Sequence, residues 1–284
     1  MTETSVDEDE LLELGRLTQE EDVSDVKLSE DLSEEQRADA RKMLERHKEL
    51  FTDLPGRARV IRHRLTLTDD KPIRSKPYPL PYAKRANLKE EIDKMLKAGI
   101  IQETNSPYAS PIVIVNKKDG TDRICVDYRK LNRVTVADPE PMRTAEDLFQ
   151  RVGKCRFFSK IDLSKGYWQI PAEEEDVPKT AFVTPDGHYE FLRMPFGMKN
   201  SGATLVRAMR KVLEGLAGME SYIDDIIVYN EDWDLHVRTL ERLFRRLRDA
   251  GFTARPSKCV LGAGSLEFLG HTLGFDWVTP SEGN

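Results

Sequence analysis

Tyr222-Ile223-Asp224-Asp225 constrains this chain more than any other stretch. Two adjacent carboxylates sit between two apolar, β-favouring runs, Met219–Ile223 and Ile226–Tyr229. The pattern predicts a strand, a tight turn and a returning strand. The turn holds no Asn-Gly or Gly-X pair to ease it. Asp tolerates left-handed backbone better than most residues, yet two acids in one turn between apolar strands repel each other. Strain and repulsion at one spot point to function, because a bound cation relieves both. Taken alone, the pair fits a solvated hairpin tip equally well.

A partner acid lies upstream. Arg156-Phe157-Phe158-Ser159-Lys160-Ile161-Asp162 is a short β-type run ending in Asp, and Leu163–Trp168 then begins like a helical turn. A strand-end Asp beside an Asp-Asp hairpin offers three hard oxygen ligands of the kind Mg²⁺ takes, with Mn²⁺ a second candidate. Two such ions about 3.5–4 Å apart activate an attacking oxygen and stabilise a leaving one, which is phosphoryl-transfer chemistry.

Five motifs occur in order: PIVIVNKKDGTDRICVDYRKLN (Pro111–Asn132), FFSKIDLSKGYWQI around Asp162, MPFGMKNSGAT (Met194–Thr204), YIDD (Tyr222–Asp225) and FLGH (Phe268–His271). Together they resemble the successive motifs of reverse transcriptases, specifically those of gypsy-type LTR retrotransposon polyproteins, over roughly residues 33–280. The resemblance implies an RNA-directed DNA polymerase that extends a primer with dNTPs on an RNA or DNA template. Asp162, Asp224 and Asp225 would hold two Mg²⁺ ions, Asp225 as the weaker ligand, with the Leu163 carbonyl as a further one. Lys117 and Arg123 would bind the triphosphate. Tyr167 would exclude the ribose 2′-hydroxyl, and Phe196 would contact the nascent base pair. Gly197, Lys199 and Tyr222 would touch template or primer, with Leu269, Gly270 and His271 as the primer grip. Lys258 would protonate pyrophosphate, a role that competes with an ordinary surface lysine. Gly202 departs from the Pro of many relatives.

The formal net charge of −6 looks wrong for a partner of nucleic acid. Its distribution answers the objection. Residues 1–35 carry fourteen Asp/Glu against Arg16 and Lys27, a net of −12, which leaves +6 on the rest. The acidic head lacks aromatic residues and predicts disorder; the basic body suits a phosphate backbone. No run of 18 apolar residues occurs, so no membrane span is expected. Cys125, Cys155 and Cys259 fit no metal or redox spacing and read as reduced thiols, consistent with an intracellular protein of cytoplasm, virus-like particle or nucleus.

Ser33-Glu34-Glu35-Gln36 is a capping box opening a helix, with Leu32 as staple residue. His47 lies on that helix's apolar stripe and reads as packing. Four prolines over 72–82 predict an extended strip. A second helix through Leu88, Ile92, Met95 and Leu96 closes at Gly99. Lys117–Gly120 marks a hairpin between strands Pro111–Val115 and Arg123–Tyr128, and Pro185-Asp186-Gly187 marks another. Helices are expected over Thr144–Val152, Ser201–Leu216 and Leu235–Ala250.

The element order predicts an α+β fold: a split βαβ palm, its antiparallel sheet covered by helices on one face, plus a fingers subdomain, with the thumb largely absent. Expected divisions are an acidic segment at 1–32, N-terminal helices and fingers at 33–140, and a palm at 141–275. The palm carries a fingers insertion around 171–195 and the primer grip around 266–273, and a tail follows at 276–284. The other parts of such a polyprotein (thumb, ribonuclease H, integrase) are the expected partners. One other reading stays open, an inactive or domesticated nucleic-acid-binding fragment; a two-metal nuclease would need an activated-water site, and the resemblance of Tyr167 and of the primer grip argues against it.

Overall fold

The computed structural model describes residues 17, 19–116, 122–275 and 277–280. In chain order the strands and helices are β1 (Lys27–Leu28), α1 (Glu34–Arg46), α2 (Tyr82–Lys97), β2 (Ile101–Glu103), β3 (Ser110–Asn116), β4 (Asp122–Val126), α3 (Arg129–Arg133) and α4 (Ala145–Phe149). They continue as β5 (Phe157–Asp162), β6 (Phe182–Thr184), β7 (Gly187–Phe191), α5 (Ser201–Val212), β8 (Met219–Tyr222), β9 (Asp225–Asn230) and α6 (Trp233–Asp249). Four short strands follow: β10 (Val260–Ala263), β11 (Ser265–Phe268), β12 (His271–Gly274) and β13 (Trp277–Pro280). The chain divides into two units, one of residues 61–139 and 170–204, the other of residues 19–60, 140–169 and 205–280.

The first unit is built on a five-stranded sheet in the order β2-β7-β6-β3-β4. β3 runs parallel to β6, and the other pairs are antiparallel. The strip before α2 holds no helix or named strand, and Gly99 at φ +70° ends the helix just past its C-cap. His63 is buried here, with Nδ1 2.8 Å from Thr204 Oγ1, and burial lowers its pKa to about 4.

The second unit holds a five-stranded sheet in the order β1-β10-β5-β9-β8 and a small sheet β11-β12-β13. Alternation along β5 and β9 separates two faces. Ser159 and Asn230 point toward α6, where His236 bonds both. Phe158 and Ile227 point the other way, into a core with Leu148, Val152, Leu266, Phe268 and Leu273. The face that carries Phe158 also carries Lys160 and Asp162.

Two expectations are corrected here. Part of the acidic head is built into the sheet: Lys27–Leu28 pairs parallel to β10, and Val26 and Leu32 are buried. Two apolar side chains and a strand's ladder bonds anchor a segment whose composition alone predicts disorder. Helix α1, expected with the fingers, packs instead within the second unit, where Leu32 and Ala40 meet Trp233 and His47 packs edge-on against Phe244. The Ser33–Gln36 capping box forms as read.

Candidate active site

β8 and β9 form a two-residue hairpin in which Tyr222 pairs with Asp225, leaving Ile223 and Asp224 as the turn. Such a turn needs positive φ at its first central position, normally a glycine position. Ile223 occupies it at φ +53°. The left-handed strain therefore falls on a β-branched residue and not on an Asp, at a cost on the order of 1–3 kcal/mol. Among the described residues, the other two non-glycines with positive φ are Lys165 and Leu269, at +45° and +52°. All three lie in motifs singled out from the sequence.

β5 lies beside β9 in a register that sets Asp162 directly opposite Asp225, so their Cα atoms are roughly 4.5–5.5 Å apart. The ladder continues one step further, with Leu163 N donating to Asp224 O at 3.0 Å. Asp162 thus meets the adjacent Asp224–Asp225 pair, far downstream in sequence, at one sheet end. Burial raises the Asp162 carboxyl to about 8, and the charges of Asp225 and Asp224 push in the same direction, opposed by the charge of Lys258. Burial and then Asp225 push Asp224 up to about 6 against Lys160 and Lys258. Asp225 Oδ1 is buried and finds no hydrogen-bond donor among the described residues, and its Oδ2 lies 3.8 Å from Lys160 Nζ.

The surrounding backbone is fixed by groups the sequence reading passed over. Gly166 is one: a Cβ there would sit 3.0 Å from Asp224 Cβ and 3.3 Å from Leu205 Cδ2. Buried Gln169 is another. Its Nε2 donates to Ser164 O and Thr253 O, and its Oε1 accepts from Thr253 N, pinning the loop that follows Asp162. Lys160, inside the quoted FFSKID run, is the third. Its alternation with Asp162 along β5 was the available signal.

The remaining predicted residues fall in both units. In the second, Tyr167 is half-buried on a 3-10 turn, Gly166–Gln169. Lys258 is exposed at the end of the turn Pro256–Lys258. Leu269 and Gly270 form the β11–β12 turn, both with positive φ. His271 Nδ1 is 3.0 Å from Leu269 O, and its ring lies 4.4 Å from that of Phe149. In the first unit, Phe196, Gly197 and Lys199 share a loop tied down by Asn132, which donates to Gly197 O and accepts from Lys199 N. Lys199 Nζ reaches Thr135 O at 3.2 Å. The Arg123 backbone lies in β4 opposite Val115. Lys117 lies outside the described residues.

The family model for reverse transcriptase (RNA-dependent DNA polymerase) matches residues 115–273. The chain belongs to the reverse transcriptase family. Among curated relatives, the retrovirus-related Pol polyprotein from transposon 297 of Drosophila melanogaster is 39% identical over 228 residues, covering 78% of this chain and 22% of the polyprotein. That from transposon gypsy of the same organism is 36% identical over 73% of this chain and 21% of its own length. The chain thus spans about a fifth of the relatives it matches. Among solved structures, the foamy viral protease-reverse transcriptase in complex with RNA/DNA hybrid superposes with a TM-score of 0.81 at 24% identity, covering 88% of this chain and 34% of that one. The selenomethionine-labelled prototype foamy virus enzyme gives 0.78 at 25%, covering 92% and 34%. These likenesses agree with an α+β fold of palm and fingers.

Reverse transcriptases use divalent metal ions, Mg²⁺ in general. The acids here fit such an ion by chemistry: oxygen donors, raised carboxyls at Asp162 and Asp224, and one buried Asp225 oxygen without a donor among the described residues. Among the described residues no three acidic, His or Cys side chains are gathered closely enough to hold an ion as they stand. No helix among them is long and apolar enough to cross a membrane.

Proposed function

We propose that this chain is the polymerase part of a retrotransposon Pol polyprotein, an RNA-directed DNA polymerase that adds dNTPs to a primer on an RNA or DNA template. The observation that carries this reading is the register placing Asp162 opposite Asp225, with Asp224 in the adjoining turn, in a chain of this family. Asp162, Asp224 and Asp225 would hold two Mg²⁺ ions, with the Leu163 carbonyl as a further ligand and side-chain rotation completing the set. When bound, the ions lower the pKa of the primer 3′-hydroxyl and neutralise charge on the phosphates.

The chain's own groups supply the rest. Lys117 and Arg123 bind the triphosphate, Arg by a bidentate fork and Lys as a point charge. Tyr167 blocks the space a ribose 2′-hydroxyl would need, and Phe196 packs on the nascent base pair. Gly197, Lys199 and Tyr222 contact template or primer. The Leu269–His271 turn brings backbone close to primer phosphates, as a glycine at its tip permits. Lys258, whose charge already reaches Asp162 and Asp224, donates a proton to departing pyrophosphate. The reading places the chain inside the cell, with other Pol segments as partners.

Primer extension on poly(rA)/oligo(dT) tests this. The expected result is Mg²⁺-dependent incorporation of dTTP that Asp224→Asn abolishes while template–primer binding persists. Binding without incorporation by the wild-type chain would favour the inactive-fragment reading. Equal activity in Asp224→Asn would remove the metal assignment. Tyr167→Ala should admit ribonucleotides, and unchanged sugar selection would refute the gate.

A further inference from the structure

His236 of α6 is fully buried, and each of its ring nitrogens is bonded to a different strand. Nδ1 lies 2.7 Å from Asn230 Oδ1 on β9, and Nε2 lies 2.6 Å from Ser159 Oγ on β5. The proton positions follow from the partners. Asn230 Oδ1 only accepts, because the same side chain's Nδ2 donates to Thr239 Oγ1 at 3.1 Å, so Nδ1 carries the hydrogen. Nε2 is then an acceptor, and Ser159 Oγ–H donates to it. Ser159 Oγ in turn accepts from Gly262 N at 3.0 Å, and Thr239 Oγ1 donates to Leu235 O at 2.8 Å. Every hydrogen in the chain is used once, and only a neutral imidazole satisfies it. Burial keeps the ring neutral, with a pKa near 3.

The strands this chain joins are those of the acid cluster. β5 ends in Asp162, β9 begins with Asp225, and the two residues are register partners. A slip of one residue would turn either acid to the other face. Gly262 lies at the point where β10 gains one residue on β5: Val260 pairs with Lys160 but Ala263 with Phe158. Ser159 captures an N–H at this irregularity. An apolar side chain could hold α6 against the sheet as well, but it would say nothing about register between β5 and β9.

We infer that His236 is a positioning residue, a hydrogen-bonded tie between β5 and β9 that holds Asp162 in register with Asp225, the pair assigned above to a divalent ion. This rests on the metal-site reading above. Groups that orient ligands from behind are worth about 10- to 100-fold in metal affinity or activity.

The test is Mn²⁺ binding to the full chain, followed by electron paramagnetic resonance without nucleic acid, beside primer-extension kinetics. Ser159→Ala removes the bond to β5 with the least change in volume, and His236→Gln keeps one donor and one acceptor. Ser159→Ala should weaken Mn²⁺ binding about tenfold or more and lower kcat by a similar factor, with KM for template–primer unchanged. His236→Gln should recover part of both. A purely structural role would lower the melting temperature but leave Mn²⁺ affinity and kcat of the folded fraction at wild-type values, and that result overturns the inference. A wild-type chain that binds Mn²⁺ but incorporates nothing counts against the polymerase reading alone. A wild-type chain that binds no Mn²⁺ sinks the positioning role together with the metal site.

Discussion

Two sets of acids in the same unit are treated in opposite ways. Glu220, on the strand leading into the YIDD turn, is bracketed by Arg143 and by Arg151 at 2.7 Å, with the Tyr229 hydroxyl at 3.5 Å. Glu140 is held likewise by Arg210 and by Arg207 at 3.2 Å. A few residues beyond Glu220, the acids of the turn and their partner Asp162 have, among the described residues, only Lys160 at 3.8 Å from Asp225, the charge of Lys258 and each other. The fold evidently can place arginines around a buried carboxylate in this neighbourhood. Where it leaves three acids so weakly compensated, protons or a cation must offset their repulsion.

The contrast can be broken most severely at Asp224. Asp224→Asn should reduce incorporation by roughly a thousandfold, several kcal/mol of transition-state stabilisation, whereas Glu220→Gln should leave the chemistry largely intact. Loss of incorporation in a folded Glu220→Gln chain would erase the distinction.

Acidity separates the groups further. His63 and His236 are held below their ordinary value, to about 4 and about 3. The unfolded chain therefore binds more protons, and their contribution is lost as pH falls from about 6.5 through those values, on the order of 3–5 kcal/mol each at most. Asp162 and Asp224 have the opposite sign. Their carboxyls are raised, so the metal-free protein loses stability as pH rises from the ordinary carboxyl range toward 8 and 6 respectively. Below pH 6.5 the two effects oppose each other, so denaturant midpoints should fall clearly only between about pH 6.5 and 8, and Asp162→Asn should remove that fall.

Smaller effects sharpen the picture. Glu220→Gln should destabilise by about 1–2 kcal/mol, the modest figure reflecting half-exposed arginine partners, read as a shift in urea midpoint. Ile223→Gly should raise stability by about 1 kcal/mol by relieving the left-handed strain, read as a melting temperature a few degrees higher. A lower melting temperature would show that the turn stores no strain.

The hairpin, the strand-end Asp162 and the α+β order were legible because each rests on local pattern: alternation, a two-residue turn, a capping box at Ser33. The register that joins Asp162 to Asp225 was legible only through family resemblance, since spacing in sequence does not fix strand pairing. Gly166 and Gln169 were illegible. Their importance lies in an approach to Asp224 and in bonds to Thr253, contacts made only after folding. The strain went to Ile223 because the turn's first central position, not the most tolerant residue, takes the positive φ. The acidic head misled because two buried apolar residues, Val26 and Leu32, outweigh a charged composition when a sheet edge is available.

The most direct test of the central claim is the melting temperature of the metal-free protein at pH 8, wild type against Asp162→Asn, each with and without Mg²⁺. Uncompensated carboxylates predict a higher melting temperature for the metal-free variant and a rise with Mg²⁺ confined to the wild type. A less stable variant, together with a wild type indifferent to Mg²⁺, would contradict the account.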